Sequence, residues 1–407
     1  MSRPESFLGK IALEGNIRAL ALQTLISQVG FGMFYVIWQP FILSTGASVA
    51  DLGVIQSVIN LITAAGLILW GVLSDRLGRK PVILASNLCR IVAITALIAS
   101  GSGIFLYVFA FFVGLSCLFN QANPAVNALI SESAGRDKKA TAFSIVNTIS
   151  RITNTVVASA GGYIAIKMGY YPIIYLALAG DIIGITLIAL FIKETHRGDA
   201  PRTRPADGVI ARIRGHLMPE RGFLRLYAIM MVVGFAYSIG YSVFFGMLVD
   251  NFGFTELQLG LLSTTFNLVA GATAIPLGRL SDRFGRKPML KVGWVMGMTS
   301  ITGFILSRRF EFFLLFYAIG ALDMNFYLSA WMPLVSERAP PNSLSTMLGK
   351  LDSYSRLAGI PAPWLGGQLY TMYGFRAPLL VHLVGIMAYG LLIFTLREDE
   401  APSERPN

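Results

Sequence analysis

Hydrophobic residues along the chain gather into twelve long runs, and short polar segments separate these runs. An α-helix needs about 20 apolar residues to cross the hydrocarbon core of a bilayer. The pattern therefore predicts an all-α membrane protein with twelve transmembrane helices. We place the spans at 19–43, 52–72, 81–100, 103–127, 140–166, 171–192, 223–249, 257–277, 288–307, 311–335, 344–370 and 375–396.

One polar segment occurs twice. Gly71-Val-Leu-Ser-Asp-Arg-Leu-Gly-Arg-Lys-Pro81 follows the second span, and Gly278-Arg-Leu-Ser-Asp-Arg-Phe-Gly-Arg-Lys-Pro288 follows the eighth span, 207 positions later. A charged turn between two apolar spans that is repeated half a chain later implies a membrane protein built by duplication. Shorter pairs recur too: Leu52-Gly53 with Leu259-Gly260, Ser150-Arg151 with Ser355-Arg356, and Gly161-Gly162 with Gly366-Gly367.

The duplication divides the chain into three parts. We predict an N-terminal six-helix bundle at 1–192 and a C-terminal six-helix bundle at 223–407. The segment 193–222 between them is basic and contains several Pro and Gly residues. We interpret it as a cytoplasmic linker that lies on the anionic membrane surface, with a regulatory site as the less favoured alternative.

The repeated segment resembles the signature that follows the second span in the major facilitator superfamily of secondary transporters. This resemblance covers nearly the whole chain and identifies a superfamily rather than a substrate. It implies two pseudo-symmetric six-helix bundles that work by alternating access. It also implies that the first, fourth, seventh and tenth spans surround a central cavity.

Positive charge predicts the orientation in the membrane. The two termini and the even-numbered loops, counted with Arg225 at the start of the seventh span, contain 24 Lys and Arg residues. The odd-numbered loops, counted with Arg376 at the start of the twelfth span, contain 4. Because Lys and Arg accumulate on the cytoplasmic side, we expect both termini and both copies of the repeated segment to face the cytoplasm. The net charge of +11 is then explained by topology rather than by nucleic-acid binding. The compact loops favour a prokaryotic plasma membrane protein.

The composition supports a membrane protein and contains no motif that indicates an enzyme. The chain is 54% hydrophobic and 14% charged, whereas a soluble domain has about a quarter charged residues. Cys89 and Cys117 lie within apolar runs, which argues against a disulfide. The chain has three His and two Cys, widely scattered, and no phosphate-binding glycine loop. We expect no catalytic residue, metal or cofactor.

The repeated segments are candidates for a cytoplasmic gate. We expect Gly71 and Gly278 to permit close helix packing, and Asp75 and Asp282 to accept hydrogen bonds at the N-terminus of a neighbouring helix. The resemblance implies a latch that closes in the outward-facing state, and simple positive-inside anchoring is the alternative. The predicted gate residues are Gly71, Asp75, Arg76, Gly78, Arg79, Lys80 and Glu132 in the first half and Gly278, Asp282, Arg283, Gly285, Arg286, Lys287 and Glu337 in the second.

Polar stripes in the first and fourth spans are candidates for the translocation path. An amide in a spanning helix must face protein or water, because an unpaired amide is costly in hydrocarbon. Hydrogen bonding between helices is the alternative explanation. The seventh span presents a more aromatic wall. From these spans we predict that the substrate contacts Gln28, Tyr35, Asn120, Asn123 and Tyr241.

Two arginines occupy corresponding positions deep in the fifth and eleventh spans. Arg151 has Asn147 one turn away, and Arg356 has Asp352 at the same spacing. Ionisable residues at this depth are costly and are functional candidates. In one interpretation, Arg151 and Arg356 converge to bind an anionic group of the substrate, with Asp352 as a releasable or protonatable partner, and Asn147 and Asp352 are then substrate-binding residues too. In the other, each arginine is neutralised locally and has a structural role.

Three further polar residues lie near the middle of their spans. Asp323 in the tenth span is a candidate for proton coupling, as is Asp352, because a buried carboxylate can exchange a proton when desolvation disfavours its charged form. We expect Asp181 in the sixth span to form a structural pair with Arg90 in the third. We interpret His382 as a packing residue.

These features predict a monomeric secondary transporter that moves a small organic molecule through the bilayer, with protons as the coupling ion. Export of amphipathic or drug-like compounds is slightly favoured. The fifth span weakens this choice, since Val157-Ala158-Ser159-Ala160-Gly161-Gly162 retains only the paired glycines of the element usual in drug/proton antiporters. Uptake or exchange of an organic anion through Arg151 and Arg356 is the main alternative. A membrane sensor that does not transport is less favoured.

Overall fold

The computed structural model describes residues 13–100, 103–117, 123–135, 138–195, 223–338 and 344–394. Within these ranges the protein consists of helices joined by short turns, without strands. The helices are α1 Gly15–Ser44, α2 Val49–Leu77, α3 Arg79–Ile98, α4 Gly103–Leu115, α5 Pro124–Ser133, α6 Lys139–Met168, α7 Tyr171–Phe191, α8 Leu224–Tyr241, α9 Phe244–Phe252, α10 Glu256–Phe284, α11 Arg286–Leu306, α12 Phe310–Arg338, α13 Leu344–Gly359, α14 Ala362–Tyr373 and α15 Arg376–Phe394.

Each predicted span coincides with one helix or with two consecutive helices. In the described part of the chain, nine segments are long and apolar enough to cross a membrane, with α8 and α9 counted together as Leu224–Phe252. The α6 helix is also long, but it is rich in Ser, Thr and Asn. The prediction of an all-α protein is confirmed.

Proline and polar residues explain two of the interrupted spans. The eleventh span is divided between α13 and α14 at Ile360 and Pro361. Proline lacks the N–H group that a continuous helix requires, so the helix ends there and restarts at Ala362. In the fourth span, Asn123 caps α5, and its side chain accepts a hydrogen bond from the backbone N–H of Ala125 at 2.9 Å.

The described residues form two compact units, and each range below stands for the described residues within it. The first comprises residues 1–48, 58–200 and 253–264. Within it, α1 packs against α6 and α7, and α3 packs against α4 and α7. Its buried core contains Ile17, Leu20, Trp70, Val82, Ile83, Leu129, Ile188 and Ile192.

The second unit comprises residues 49–57, 201–252 and 265–407. In it, α8 packs against α13 and α15, and α11 packs against α12 and α15. Its interior is strongly aromatic: the rings of Phe244, Phe304, Phe313, Tyr317 and Phe375 form a connected cluster with centroid separations of 5.0–6.2 Å. The unit boundaries pass through α2 and α10, so the division at 192 and 223 stays a prediction.

Four of the repeated glycines lie where helix backbones approach closely, namely Gly53, Gly162, Gly260 and Gly367. In the second unit, a Cβ atom at Gly53 would come within 2.5 Å of a carbonyl oxygen in α14, and one at Gly367 would come within 2.9 Å of a carbonyl oxygen in α2. In the first unit, a Cβ atom at Gly260 would lie 2.6 Å from a carbonyl oxygen in α6, and Gly162 faces the backbone at the start of α10. The duplicated glycines therefore support duplicated helix crossings.

Candidate functional site

A charge network surrounds the turn between α2 and α3 in the first unit. The Arg79 guanidinium donates to Asp75 Oδ1 at 2.6 Å, to Glu132 Oε1 at 2.9 Å and to Ser74 Oγ at 2.8 Å. Its side chain is only 12% exposed, although Asp75 is 74% exposed. Arg79 therefore joins the end of α2 and the start of α3 to α5, and the structure brings together three of the predicted gate residues.

Glycine is required at the turn itself. Gly78 has φ +101° and Gly285, its counterpart in the second unit, has φ +87°. Side chains other than glycine rarely adopt this backbone conformation. A tight turn is present at both residues, and it places the next residue at the start of a helix in each case.

The second copy repeats the geometry of the first. Arg286 donates to Asp282 Oδ1 at 2.6 Å and to Ser281 Oγ at 3.2 Å. Arg283 lies over the ring of Phe284, with Cζ 5.5 Å from the ring centroid. Glu337 lies in α12, but its side chain is outside the described part of the chain.

Two contacts expected of the predicted gate are not found among the described residues. A Cβ atom at Gly71 or Gly278 would have no described atom within 4 Å, and the role of these glycines in helix packing stays a prediction. Among the described residues, no helix N-terminus donates a hydrogen bond to the carboxylate of Asp75 or Asp282, and this expected contact stays a prediction. Each instead binds the arginine four residues further along, because that arginine starts the next helix across the glycine turn.

The carboxylate at a helix N-terminus is that of Glu194, which our sequence analysis did not identify. Glu194 follows α7, and its two oxygens accept hydrogen bonds from the backbone N–H groups of Arg79 and Lys80, each at 2.9 Å. Thr195 donates its hydroxyl to Glu132 Oε2 at 2.6 Å. One feature of the sequence could have identified Glu194. It is a carboxylate that directly follows the sixth span, on the same side of the membrane as the basic turn at Arg79 and Lys80, where the dipole of the next helix favours negative charge.

Predicted substrate residues in the first unit have different surroundings. Gln28 is buried and donates to Asn154 Oδ1 in α6 at 2.6 Å, and Asn123 donates to Ser86 Oγ in α3 at 2.7 Å. The side chains of these two residues therefore form hydrogen bonds between helices, which was the alternative to a substrate contact. Tyr35 is 47% exposed, Asn147 is exposed, and Asn120 lies outside the described residues.

The two deep arginines are not equivalent. Arg356 donates to Asp352 Oδ2 at 2.7 Å, so it is neutralised locally. Arg151 is exposed on α6, and its guanidinium has no recorded hydrogen bond or ion pair within the described part of the chain. Arg151 belongs to the first unit and Arg356 to the second, and their convergence on one substrate stays a prediction.

Asp323 is buried in the second unit beside a pair of tyrosines. Its side chain is 8% exposed, and its Oδ2 atom accepts a hydrogen bond from the Tyr237 hydroxyl at 2.5 Å. Tyr237 stacks on Tyr241, with centroids 5.6 Å apart and planes 21° apart. A Cβ atom at Gly297 would lie 2.9 Å from the same carboxylate oxygen, so glycine in α11 provides the room for Asp323.

Asp181 has a cationic partner. It is 2% exposed, and Arg90 binds both of its oxygens, with Nε 2.7 Å from Oδ2. The predicted pair between the third and sixth spans is confirmed. Asp323, in contrast, has no ion pair with a described residue, and the only hydrogen bond recorded for its carboxylate is the one from Tyr237.

His382 is fully buried in the second unit. Its ring centroid lies 5.1 Å from that of Tyr237 and 5.2 Å from that of Tyr241. Neither ring nitrogen has a hydrogen-bond partner among the described residues. The contacts of His382 are therefore packing contacts, and they support the two tyrosines from the side of α15.

Comparison with known protein families assigns the chain to a class. The family model described as Major Facilitator Superfamily matches residues 20–249 and 226–407, which together cover nearly the whole chain. The chain therefore belongs to the major facilitator superfamily. It is an integral membrane protein and a secondary transporter, as the repeated segment and the apolar helices predict.

Curated relatives extend over most of the chain at low identity. Multidrug resistance protein MdtG of Escherichia fergusonii is 25% identical over 347 residues, which is 83% of this chain and 82% of the relative. MdtG of Klebsiella pneumoniae is 24% identical over 373 residues, which is 89% of this chain and 88% of the relative.

Solved structures share the fold across almost the full length. A bacterial homologue of the human lysosomal transporter Spinster has a TM-score of 0.69 at 16% identity and covers 97% of both chains. The human organic anion transporter MFSD10 has a TM-score of 0.66 at 16% identity, with 96% of this chain and 100% of that chain covered. The nucleoside transporter NupG has a TM-score of 0.69 at 14% identity, with 94% and 98% covered. These likenesses establish the fold.

Proposed function

We propose that this protein is a proton-coupled exporter of amphipathic or drug-like molecules and that Asp323 is its proton-binding residue. The observation that carries the proposal is the state of the Asp323 carboxylate. It is buried at membrane depth, and no described residue forms an ion pair with it.

An isolated charge at this depth is costly, so a carboxylate without a cationic partner is neutralised by something else. The other two carboxylates deep in the spans have arginine partners, Asp181 with Arg90 and Asp352 with Arg356. Asp323 has only a neutral hydroxyl donor. A proton neutralises it in one state of the cycle, and a cationic substrate can do so in another.

Tyr237 controls access to this carboxylate. Its side chain is 37% exposed, whereas the carboxylate that accepts its hydrogen bond is 8% exposed. We expect a ligand that binds Asp323 to displace the Tyr237 hydroxyl from the carboxylate. The stacked faces of Tyr237 and Tyr241 also suit an aromatic or cationic ligand, because aromatic rings attract cations. The relatives named as multidrug resistance proteins support export as the direction and drug-like compounds as the cargo.

Transport by purified protein in proteoliposomes tests the proposal. A pH gradient should drive movement of the lipophilic cation ethidium by the wild type, and Asp323→Asn should abolish that movement. Asp250→Asn is a matched control, because Asp250 also accepts a hydrogen bond from a tyrosine, Tyr370, at 2.5 Å but is exposed. Normal gradient-driven transport by Asp323→Asn would remove Asp323 from the mechanism.

A second candidate function is carriage of an organic anion. It is supported by Arg151, which is exposed and has no recorded ion-pair partner in the described part of the chain. Salicylate would serve as the probe in a thermal-shift titration, since a ligand that binds the folded state raises its apparent stability. Stabilisation by salicylate that is lost in Arg151→Gln would favour this function over cation export.

The remaining assignments describe how the transporter works. The networks around Arg79 and Arg286 form a latch that opens and closes during alternating access. The excess of Lys and Arg in the even-numbered loops supports a cytoplasmic location for this latch and for both termini. The functional unit is a monomer in a prokaryotic plasma membrane.

A further inference from the structure

Hydrogen bonds join the end of α7 and the residues after it to the starts of two other helices in the first unit. Asn16, at the start of α1, accepts a hydrogen bond from the backbone N–H of Lys193 at 2.8 Å and donates to its carbonyl oxygen at 2.9 Å. Lys80, at the start of α3, donates from Nζ to the carbonyl oxygen of Ala189 at 2.7 Å. The first residues of the predicted linker are therefore part of the packed unit.

Glu194 is the centre of this junction. Its Oε1 and Oε2 atoms each accept one backbone N–H, from Arg79 and Lys80 respectively, at 2.9 Å. A Cβ atom at Gly78 would lie 2.6 Å from Oε2 and 2.9 Å from the carboxyl carbon. Glycine at position 78 thus has two functions: it allows the left-handed backbone of the turn, and it leaves space for the carboxylate.

The chemistry of the contact is that of an anion at the start of a helix. The first N–H groups of an α-helix have no partner within the helix, and the helix dipole favours negative charge at that end. Here the following residues, Arg79 and Lys80, add two positive side chains. A carboxylate that binds two consecutive N–H groups therefore fixes both the position and the direction of the first turn of α3.

Two further hydrogen bonds connect Glu194 to the charge network. The backbone N–H of Thr195 donates to Glu194 Oε1 at 2.9 Å, and the Thr195 hydroxyl donates to Glu132 Oε2 at 2.6 Å. Glu132 in turn receives hydrogen bonds from Arg79, at 2.9 Å from one terminal nitrogen and 3.1 Å from Nε. Glu194 thus binds the backbone of Arg79. Thr195 orients Glu132, which binds the side chain of Arg79.

We propose that Glu194 is a positioning residue of the cytoplasmic latch, so that the entry to the linker sets how readily the Arg79 network opens. This inference rests on the proposed function of that network as a latch. With Glu194 in place, the first turn of α3 and the end of α5 move as one body. Without Glu194, the backbone of Arg79 is no longer held in place, and the hydrogen bonds from the Arg79 side chain to Asp75 and Glu132 are present for a smaller fraction of the time.

Hydrogen–deuterium exchange of the full-length protein with Glu194→Gln tests the contact. Glutamine keeps the size of the side chain but removes the charge and one acceptor oxygen. We expect hydrogen exchange of the backbone amides in the first turn of α3 to become about tenfold faster. Local opening of this turn in the variant no longer has to break a hydrogen bond to a charged carboxylate. The first turn of α11, around Arg286, is the internal reference and should be unchanged.

Transport measurements separate a positioning role from simple capping. We expect Glu194→Gln to lower the turnover of ethidium transport severalfold while leaving its apparent KM unchanged. Glu311→Gln is the control variant, because Glu311 forms only an exposed pair with Arg309 at 3.3 Å. Unchanged exchange in α3 would overturn the contact, and faster exchange with normal turnover would overturn the positioning role.

The two proposals fail in different ways. If the wild type does not move ethidium, the proposed function fails for this cation, and exchange at the end of α5 then decides the role of Glu194. Faster exchange in both α3 and residues 124–133 supports positioning of the latch. A change confined to α3 contradicts it.

Discussion

The Tyr237 hydroxyl donates a hydrogen bond of 2.5 Å to the Asp323 carboxylate, which has no other recorded polar partner among the described residues. The two residues are 86 positions apart, on α8 and α12. The contact joins an exposed aromatic ring to a buried acid. It is the structural basis of the proton-coupling site proposed above.

Tyr237→Phe tests the role of this hydroxyl. Phenylalanine keeps the ring that packs on Tyr241 and His382, so we expect the thermal unfolding midpoint to change little. Gradient-driven ethidium transport should fall severalfold, because the carboxylate loses its only recorded hydrogen-bond donor. Tyr163→Phe is a suitable control, since Tyr163 is 55% exposed on α6. Equal transport by Tyr237→Phe and the wild type would show that the hydroxyl has no part in coupling.

The buried pair between Arg90 and Asp181 should matter for stability. Removing one partner of a buried ion pair leaves an uncompensated charge and typically costs about 3–5 kcal/mol. We therefore expect Asp181→Asn to lower the thermal unfolding midpoint strongly. The double variant Arg90→Leu/Asp181→Leu should recover much of the loss, and a midpoint no higher than that of Asp181→Asn would contradict a purely structural role.

The latch makes a prediction about Asp75 that separates transport from stability. Asp75 is 74% exposed, and exposed ion pairs contribute little to folding. Asp75→Asn should therefore insert into the membrane and unfold at the wild-type temperature, yet transport slowly. The measurement is ethidium flux in proteoliposomes with matched protein content. Normal flux would leave positive-inside anchoring as the function of the repeated segment.

The duplication predicts a second capping residue. Lys193-Glu194 after α7 recurs as Arg397-Glu398 after α15, 204 positions later. Gly285 and Arg286 repeat the turn and the helix start that Glu194 binds in the first unit. Residue 398 lies outside the described residues, and its role is a prediction from the repeat. Glu398→Gln should speed hydrogen exchange in the first turn of α11 and not in α3, whereas Asp399→Asn should change neither.

The spans and the duplication could be predicted because they are local properties of the sequence. An apolar run of bilayer length needs no knowledge of its neighbours, and the repeated segment needs only comparison of the chain with itself. The pair of Arg90 and Asp181 was also predictable, because an ion pair lowers the cost of placing two opposite charges within spanning helices.

The sites depended on contacts that the sequence does not encode locally. Glu194 reaches Arg79 across 115 positions, and no pattern near either residue specifies the partner. Gln28 belongs to the polar stripe from which we predicted the translocation path. Its amide instead donates a hydrogen bond to Asn154 in a neighbouring helix, 126 positions away. Gly71 fitted a packing motif, but no described atom lies within 4 Å of the Cβ position there. Periodicity identifies a face of a helix, and the fold decides what covers it.

Direct detection of a proton tests the central claim most closely. Ethidium added to the purified transporter in weakly buffered detergent solution should release protons, because the cation replaces the proton on Asp323. The wild type and Asp250→Asn should show this release, and Asp323→Asn should show none. Equal proton release by Asp323→Asn and the wild type would contradict the account.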